Sequence, residues 1–308
     1  MDSLTIPQDI FIQEGQPLPF EKTAIRLYST NASTGRSRIT LTKNLFSFLL
    51  DGEKTVHYSG KTMRIDPTQF LLLGGSNCLM SEKLSNNGLY KSLLFFFDDT
   101  VLTDFFGKYG STIRRTGVQS GRTKEPVVCF EKDAFIRNYL HSLQLMLGEQ
   151  NSIPPALRQL KFEELMLWLA EKYPEGLLSF QTGSPTDLSD QQLISTVESN
   201  LHNHISVEDL AFLCNTSLST FKRRFARLYG GMSPNKWILQ KRMKLAAELL
   251  QHQEKPSEVA YKVGYENHSS FTQSFKQIFG QTPREFQQEK NSYPAREQTA
   301  TLKLDVYQ

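Results

Sequence analysis

Two stretches of this 308-residue chain, 210–237 and 259–286, repeat one apolar frame. The first runs Leu210-Ala211, a polar turn at Asn215 and Thr216, then Phe221, Phe225, Gly230, Ser233-Pro234 and Trp237. The second answers with Val259-Ala260, a turn at Gly264-Tyr265, then Phe271, Phe275, Gly280, Thr282-Pro283 and Phe286. The paired Phe and Gly positions lie 50 residues apart, whereas the Leu-Ala/Val-Ala and Ser-Pro/Thr-Pro pairs lie 49 apart. A frame that keeps its apolar positions while its turns change by one residue is a repeated fold unit.

Helical period sorts each unit into a buried and an open face. A helix over 207–213 is followed by a short turn and a second helix from about Ser217, on which Leu218, Phe221, Phe225 and Leu228 form one stripe. Ser219, Thr220, Lys222, Arg223, Arg224 and Arg227 are left on the open face. In the second copy Phe271, Phe275 and Phe279 turn inward, leaving His268, Ser269, Ser270, Gln273 and Lys276 outward. Phe stripes on the buried period are core, not base-stacking platforms. A helix that opens with hydroxyls and cations suits the major groove of double-stranded DNA, where Arg reads guanine, Gln reads adenine and Lys276 anchors backbone. Residues 237–250 read as a connecting helix of about 21 Å, long enough to hold two such helices for successive grooves about 34 Å apart.

Charge agrees with this reading. The net charge is only +3, yet between Lys222 and Lys262 ten Lys/Arg stand against three Glu, a local balance of +7. That clustering is an electrostatic footprint for phosphate. Lys222-Arg223-Arg224 alone is compatible with a solvated helix face, but its place on the reading helix favours DNA contact. His268 has a second reading as a helix cap.

The stretches GGMSPNKWILQKRMKLAAELL and PSEVAYKVGYENHSSFTQSFKQIFGQTPREF resemble the DNA-binding domain of the AraC/XylS family of bacterial transcription regulators, over about 188–288. The resemblance implies two helix-turn-helix units joined by a central helix, an asymmetric DNA site and, usually, activation of transcription with RNA polymerase as partner. It places base-edge contacts on Ser219, Lys222 and Arg223, and on His268, Ser269, Ser270 and Gln273. Arg242 and Gly264 match positions that look structural, Gly264 because its turn needs a residue without Cβ.

The amino-terminal part has a different texture. Short apolar runs at 45–50, 55–58, 70–73 and 90–97 are separated by Asp51-Gly52, Ser59-Gly60, Gly74-Gly75 and Asn86-Asn87-Gly88, as in a small antiparallel barrel or sandwich. From Asp133 the period becomes helical, with Ile136, Leu140, Leu143 and Leu147 closed by Gly148. A second helix follows Pro154-Pro155 and breaks at Pro174; its stretch 165–170 is apolar nearly all round and predicts burial on more than one side. The expected fold is α+β. A cupin-like antiparallel β barrel or sandwich occupies 1–132, a helical segment 133–178 and a flexible linker 179–187. An all-α domain with two helix-turn-helix units covers 188–290, and a polar tail 291–308. Family resemblance makes Ile136, Leu140, Leu143 and Leu147 a candidate homodimer interface; the alternative is packing on the chain's own sheet.

Other chemistry finds little support. Three scattered cysteines, Cys78, Cys129 and Cys214, make neither a disulfide framework nor the four-thiolate zinc site of a DNA methyl-phosphotriester repair protein. His57 alone cannot supply the ligand set of a metal-binding cupin, so no metal, cofactor or catalytic residue is assigned. Asp98-Asp99 reads as a strand-to-helix turn rather than acid/base machinery. No apolar run is long enough to span a bilayer and no signal-peptide pattern opens the chain, so a cytoplasmic protein without membrane contact is expected. The expected function is DNA-binding regulation under control of a small molecule acting on the amino-terminal domain, with a protein effector as the alternative and a DNA-targeted enzyme as the weaker rival.

Overall fold

The computed structural model describes residues 3–10, 12–13, 16–17, 21–114, 125–150, 153–180, 189–201, 203 and 205–291. The chain divides into two compact units, Met1–Ser199 with Val207–Arg224, and Asn200–Ser206 with Phe225–Gln308.

The first unit contains all the strands among the described residues: β1 (Ser3–Ile6), β2 (Ile12–Gln13), β3 (Gln16–Pro17), β4 (Thr23–Thr30), β5 (Thr34–Leu41), β6 (Asn44–Asp51), β7 (Glu53–Tyr58), β8 (Lys61–Ile65), β9 (Gln69–Leu73), β10 (Asn77–Lys83), β11 (Tyr90–Phe97) and β12 (Val127–Glu131). One five-stranded sheet has the order β1-β5-β10-β7-β8 and the other β12-β9-β6-β11-β4, while β2 and β3 pair as a small hairpin. Pairing is antiparallel except for β1 on β5, which is parallel. Inward residues of both sheets, among them Ile39, Val56, Tyr58 and Met80 from the first and Leu45, Leu71, Leu94 and Phe96 from the second, form one core. Phe46, Phe48, Phe70, Leu93, Phe95 and Phe97 on the other face of the second sheet build a second core with the helices. A sheet covered on both faces needs unbroken apolar strands, which is why β11 reads LLFFF rather than alternating.

The sandwich carries α1 (Asp99–Arg114), α2 (Ala134–Gln150), α3 (Pro155–Lys172) and α4 (Pro174–Ser179). Asp98-Asp99 does form the strand-to-helix turn into α1, with Lys43 paired to Asp98 and the Asn44 amide donating to Asp99 at 2.7 Å. The Ile136 N–H donates to Asp133 Oδ1 at 2.9 Å, so Asp133 starts α2 as expected, and the helix runs two residues past Gly148. The predicted dimer stripe requires correction. Ile136, Leu140 and Leu143 are 0–3% exposed in the core on the second sheet, and Leu147 packs partly buried against it. Their helical spacing puts them on one face of α2, and that face packs on the chain's own sheet. In the stretch 165–170, expected to be buried on more than one side, Leu165, Met166, Leu169 and Ala170 are buried, whereas Leu167 is 41% exposed.

The first unit continues through α5 (Asp190–Ser199), α6 (Val207–Leu213) and the start of α7 (Leu218–Leu228). Ser179 ends α4, and Phe180 bridges Glu125 and is buried in the core, so both belong to the sandwich. The rest of the expected linker, 181–187, lies outside the described residues, as does the tail beyond Asn291.

The second unit holds α8 (Pro234–Gln251), α9 (Pro256–Lys262), α10 (His268–Phe279) and α11 (Pro283–Asn291). Met243, Ala246 and Leu250 of α8, Val259 and Ala260 of α9, and Phe271 and Phe275 of α10 meet in its core. The Ser-Pro and Thr-Pro steps of the repeat are helix starts. Ser233 accepts from the Lys236 N–H at 3.4 Å, and Thr282 forms a reciprocal capping box with Glu285, at 2.7 and 3.3 Å. The connecting helix is therefore 18 residues, longer than expected because it begins at Pro234.

Candidate functional site

The two reading helices are launched by equivalent turns. Thr216 N–H donates to Ala211 O at 3.1 Å, and Tyr265 N–H donates to Ala260 O at 2.9 Å. The residue before each has positive φ, Asn215 at 51° and Gly264 at 89°. The registers then part by one residue. Ser217, next after Thr216, caps α7 by accepting from the Thr220 N–H at 3.2 Å, whereas Glu266 intervenes before Asn267 caps α10 by accepting from the Ser270 N–H at 2.8 Å. Asn267 takes the capping role considered for His268, which becomes the first helical residue and stays exposed.

Phe221 and Phe225 of α7, and Phe271 and Phe275 of α10, are fully buried, which orients the opposite faces outward. On α7, Ser219, Lys222, Arg223 and Arg227 are exposed, and Thr220 is half-buried. The Ser219 and Thr220 hydroxyls both lie 3.0 Å from Ser217 Oγ, so they stiffen the cap as well as line the face. Arg224 differs from the expectation: its side chain is 16% exposed and pairs with Asp190 of α5 at 3.0 Å, which makes it a structural anchor. Helical period put it with the open face, but it sits at the margin where α5 approaches. On α10, His268, Ser269, Ser270, Gln273 and Lys276 are all exposed. The two faces are unequal, three exposed cations on α7 against one on α10.

Arg242 and Gly264 explain each other. The Arg242 guanidinium donates to Leu201 O at 2.9 Å and Gly264 O at 3.3 Å, and burial pulls its pKa down. A Cβ on Gly264 would stand 2.9 Å from Arg242 Cζ, so the second turn admits glycine on both steric and conformational grounds.

Within the first unit, the sandwich holds α6 directly. Arg38 of β5 pairs with Asp209 at 2.8 Å, its guanidinium lies over the Phe212 ring at 5.9 Å, and the Asn77 amide of β10 donates to Phe212 O at 3.0 Å. Asp209 is only 4% exposed. A cavity of about 460 Å³ opens on the inward side of the same sheet, lined by Ile6, Ser37, Ile39, Leu45, Lys54, Met80 and Glu82 among others. Strand alternation thus puts Ser37 and Ile39 at the cavity and Arg38 at α6. Glu82 accepts from the Tyr28 hydroxyl at 3.3 Å; burial, then the Glu82 charge, pushes the Tyr28 phenol up to about 12.

Sequence reasoning passed over Lys54, which is buried, although alternation along β7 aligns it with the inward Val56 and Tyr58. His57 is buried, 2.9 Å from Thr62 Oγ1, and among the described residues no cluster of three His, Cys, Asp or Glu could hold a metal. The cysteines are free, and burial pushes the Cys78 thiol up to about 12. No described helix is long and apolar enough to cross a membrane.

Two helix-turn-helix units with polar and cationic outer faces, following a helix-covered β sandwich in the chain, define a DNA-binding transcription regulator. A profile of the ExsA N-terminal regulatory domain matches 44–180, and a helix-turn-helix domain profile matches 210–289. The thermoregulatory protein LcrF of Yersinia pestis is 26% identical over 76% of this chain and 85% of its own length. The HTH-type transcriptional regulator ExsA of Pseudomonas aeruginosa is 26% identical over 80% and 87%, and the virulence regulon transcriptional activator VirF of Yersinia enterocolitica 29% over 76% and 85%. A helix-turn-helix domain of the AraC type beside a regulatory domain of the ExsA kind makes the chain similar to the AraC/XylS family of bacterial transcription regulators. These relatives are regulators, not enzymes.

Proposed function

We propose that the chain acts in the cytoplasm as a homodimeric activator that reads an asymmetric DNA site with α7 and α10, under control of a small molecule received by the sandwich. The observation that carries the DNA reading is the pair of exposed faces, Ser219, Lys222, Arg223 and Arg227 on α7 and His268, Ser269, Ser270, Gln273 and Lys276 on α10. Activation, with RNA polymerase as partner, is supported by the VirF relative, which is itself named an activator. The continuous α8, about 27 Å at 1.5 Å per residue, follows the first helix-turn-helix and precedes the second in the chain.

Control through the sandwich is supported by β5, whose alternate residues face the cavity and α6. A ligand that shifts β5 would bias the first reading unit, a population shift between two arrangements. Dimerisation is assigned to α3, where Leu157, Leu160 and Leu167 are 41%, 62% and 41% exposed on one heptad-spaced stripe.

Selection of genomic fragments with the purified protein supplies the operator for the test. Arg223→Ala should weaken operator binding by about 1 to 3 kcal/mol and relax preference at one base step, while Lys276→Ala should weaken operator and random DNA equally. Equal loss on both DNAs for Arg223→Ala would reject the assigned base contact. Operator affinity that responds to a purified protein and to no metabolite would replace the small-molecule signal with a protein effector.

A further inference from the structure

The second reading helix and the turn before it carry one acid, where the first pair carries none. Between Asn215 and Leu228 the chain has no Asp or Glu, and between Gly264 and Gly280 it has only Glu266. Glu266 is also the residue by which the two turns differ. Ser217 caps α7 directly after Thr216, whereas Glu266 separates Tyr265 from the cap Asn267. It therefore lies outside the apolar frame of the repeat, and it is exposed together with Asn267, His268, Ser269 and Ser270 after it. Among the described residues its carboxylate makes no hydrogen bond and no ion pair. Other acids of this unit are occupied: Glu254 pairs with Lys262 at 2.6 Å, and Glu285 accepts from the Thr282 N–H at 2.7 Å. The helix start is already capped by Asn267, so Glu266 has no structural task there.

Residues at the start of a recognition helix are the ones that reach base edges. In the major groove a carboxylate meets acceptors on guanine, on thymine and at N7 of adenine, whereas cytosine presents only its N4 amine donor. An unpaired charge that one base satisfies and the others do not serves discrimination rather than affinity. The charge balance agrees. Over 264–280 one Lys stands against one Glu, a net of zero, so this unit has no surplus charge to draw it onto phosphate whatever the sequence.

From these observations we infer that Glu266 is a specificity-determining residue of the second unit, its carboxylate accepting from the N4 amine of a cytosine in the major groove and disfavouring every other base at that position. The inference rests on the reading of DNA by α10.

The test measures the base preference of the full chain over all single-base variants of the operator, for the wild type, Glu266→Gln, Glu266→Ala and Gln273→Ala. The wild type is expected to favour cytosine over thymine by about tenfold at one position of the half-site that Gln273→Ala maps. Glu266→Gln keeps the side-chain length but suits adenine, so the preference at that position is expected to move from cytosine to adenine. Glu266→Ala is expected to level the position and to tighten binding to random DNA, because the repelling charge is gone. Circular dichroism checks that each variant is folded. A cytosine preference that survives both Glu266 variants, or a uniform gain on every sequence with the profile unchanged, would overturn the inference. If Gln273→Ala alters the profile and the Glu266 variants do not, the Glu266 contact falls while the reading by α10 stands. If none of the three alters it, the reading by α10 falls and the inference with it.

Discussion

Gly264→Ala probes the second reading unit at its most constrained point. At φ +89° an L-residue carries about 1 to 2 kcal/mol of backbone strain. The new Cβ would also meet the Arg242 guanidinium, with Cζ at 2.9 Å, Nη2 at 3.1 Å and Nε at 3.2 Å. That group cannot simply swing away, because it is tied to Leu201 O and Gly264 O. Loosening a charged hydrogen bond adds about 1.5 to 3 kcal/mol, so the total is about 2.5 to 5 kcal/mol. Urea unfolding followed by Trp237 fluorescence, together with operator binding, measures the effect on the unit and on α10. Arg242→Ala removes the clashing group together with its hydrogen bonds to Leu201 O and Gly264 O, so the double variant should be less unstable than the sum of the singles. Gly264→Ala within about 0.5 kcal/mol of wild type, or strict additivity in the cycle, would refute the steric argument.

Three other perturbations test separate parts of the chain. Burial first and Arg36 second hold His57 down at about 4, against about 6.5 in the unfolded chain, so the unfolded state binds more protons between these values. Stability present above about pH 6.5 should therefore fall by about 3 kcal/mol as pH drops toward 4, and His57→Gln should flatten that part of the denaturation profile. Leu160→Glu with Leu167→Glu should yield a folded monomer in sedimentation, whereas Leu140→Glu with Leu143→Glu should unfold the sandwich; a dimer surviving the first pair would reject the α3 interface. Arg38→Met leaves Asp209 nearly buried without its cation, and should cost about 1 to 3 kcal/mol in stability, reduced from the fully buried case because Arg38 is 27% exposed. An operator affinity that ignores this change would count against control through β5.

The carboxy-terminal half of the chain was the more legible. Helical period alone separated Phe221, Phe225, Phe271 and Phe275 from the faces opposite them, because each unit buries one stripe and its local spacing survives folding. The sequence also marked several turns, the Pro-started α3 and the unbroken apolar strands of the sandwich. Several elements escaped. The strands β4, β5 and β8 are interrupted by polar residues and carry too little apolar signal, β10 and β12 offer only short apolar runs, and α1 was seen only as its opening Asp98-Asp99 turn. Tertiary structure decided what periodicity cannot rank, namely which neighbour a face meets. Ile136, Leu140 and Leu143 form a plausible interface stripe in one dimension, yet the second sheet is closer and wholly apolar, so they pack there. Arg224 belongs by period with Arg223 and by proximity with Asp190. Lys54 gives no sign of burial in the sequence and is buried on β7 with its ammonium on Ser47 of β6, because burial is a property of the neighbours and not of the residue.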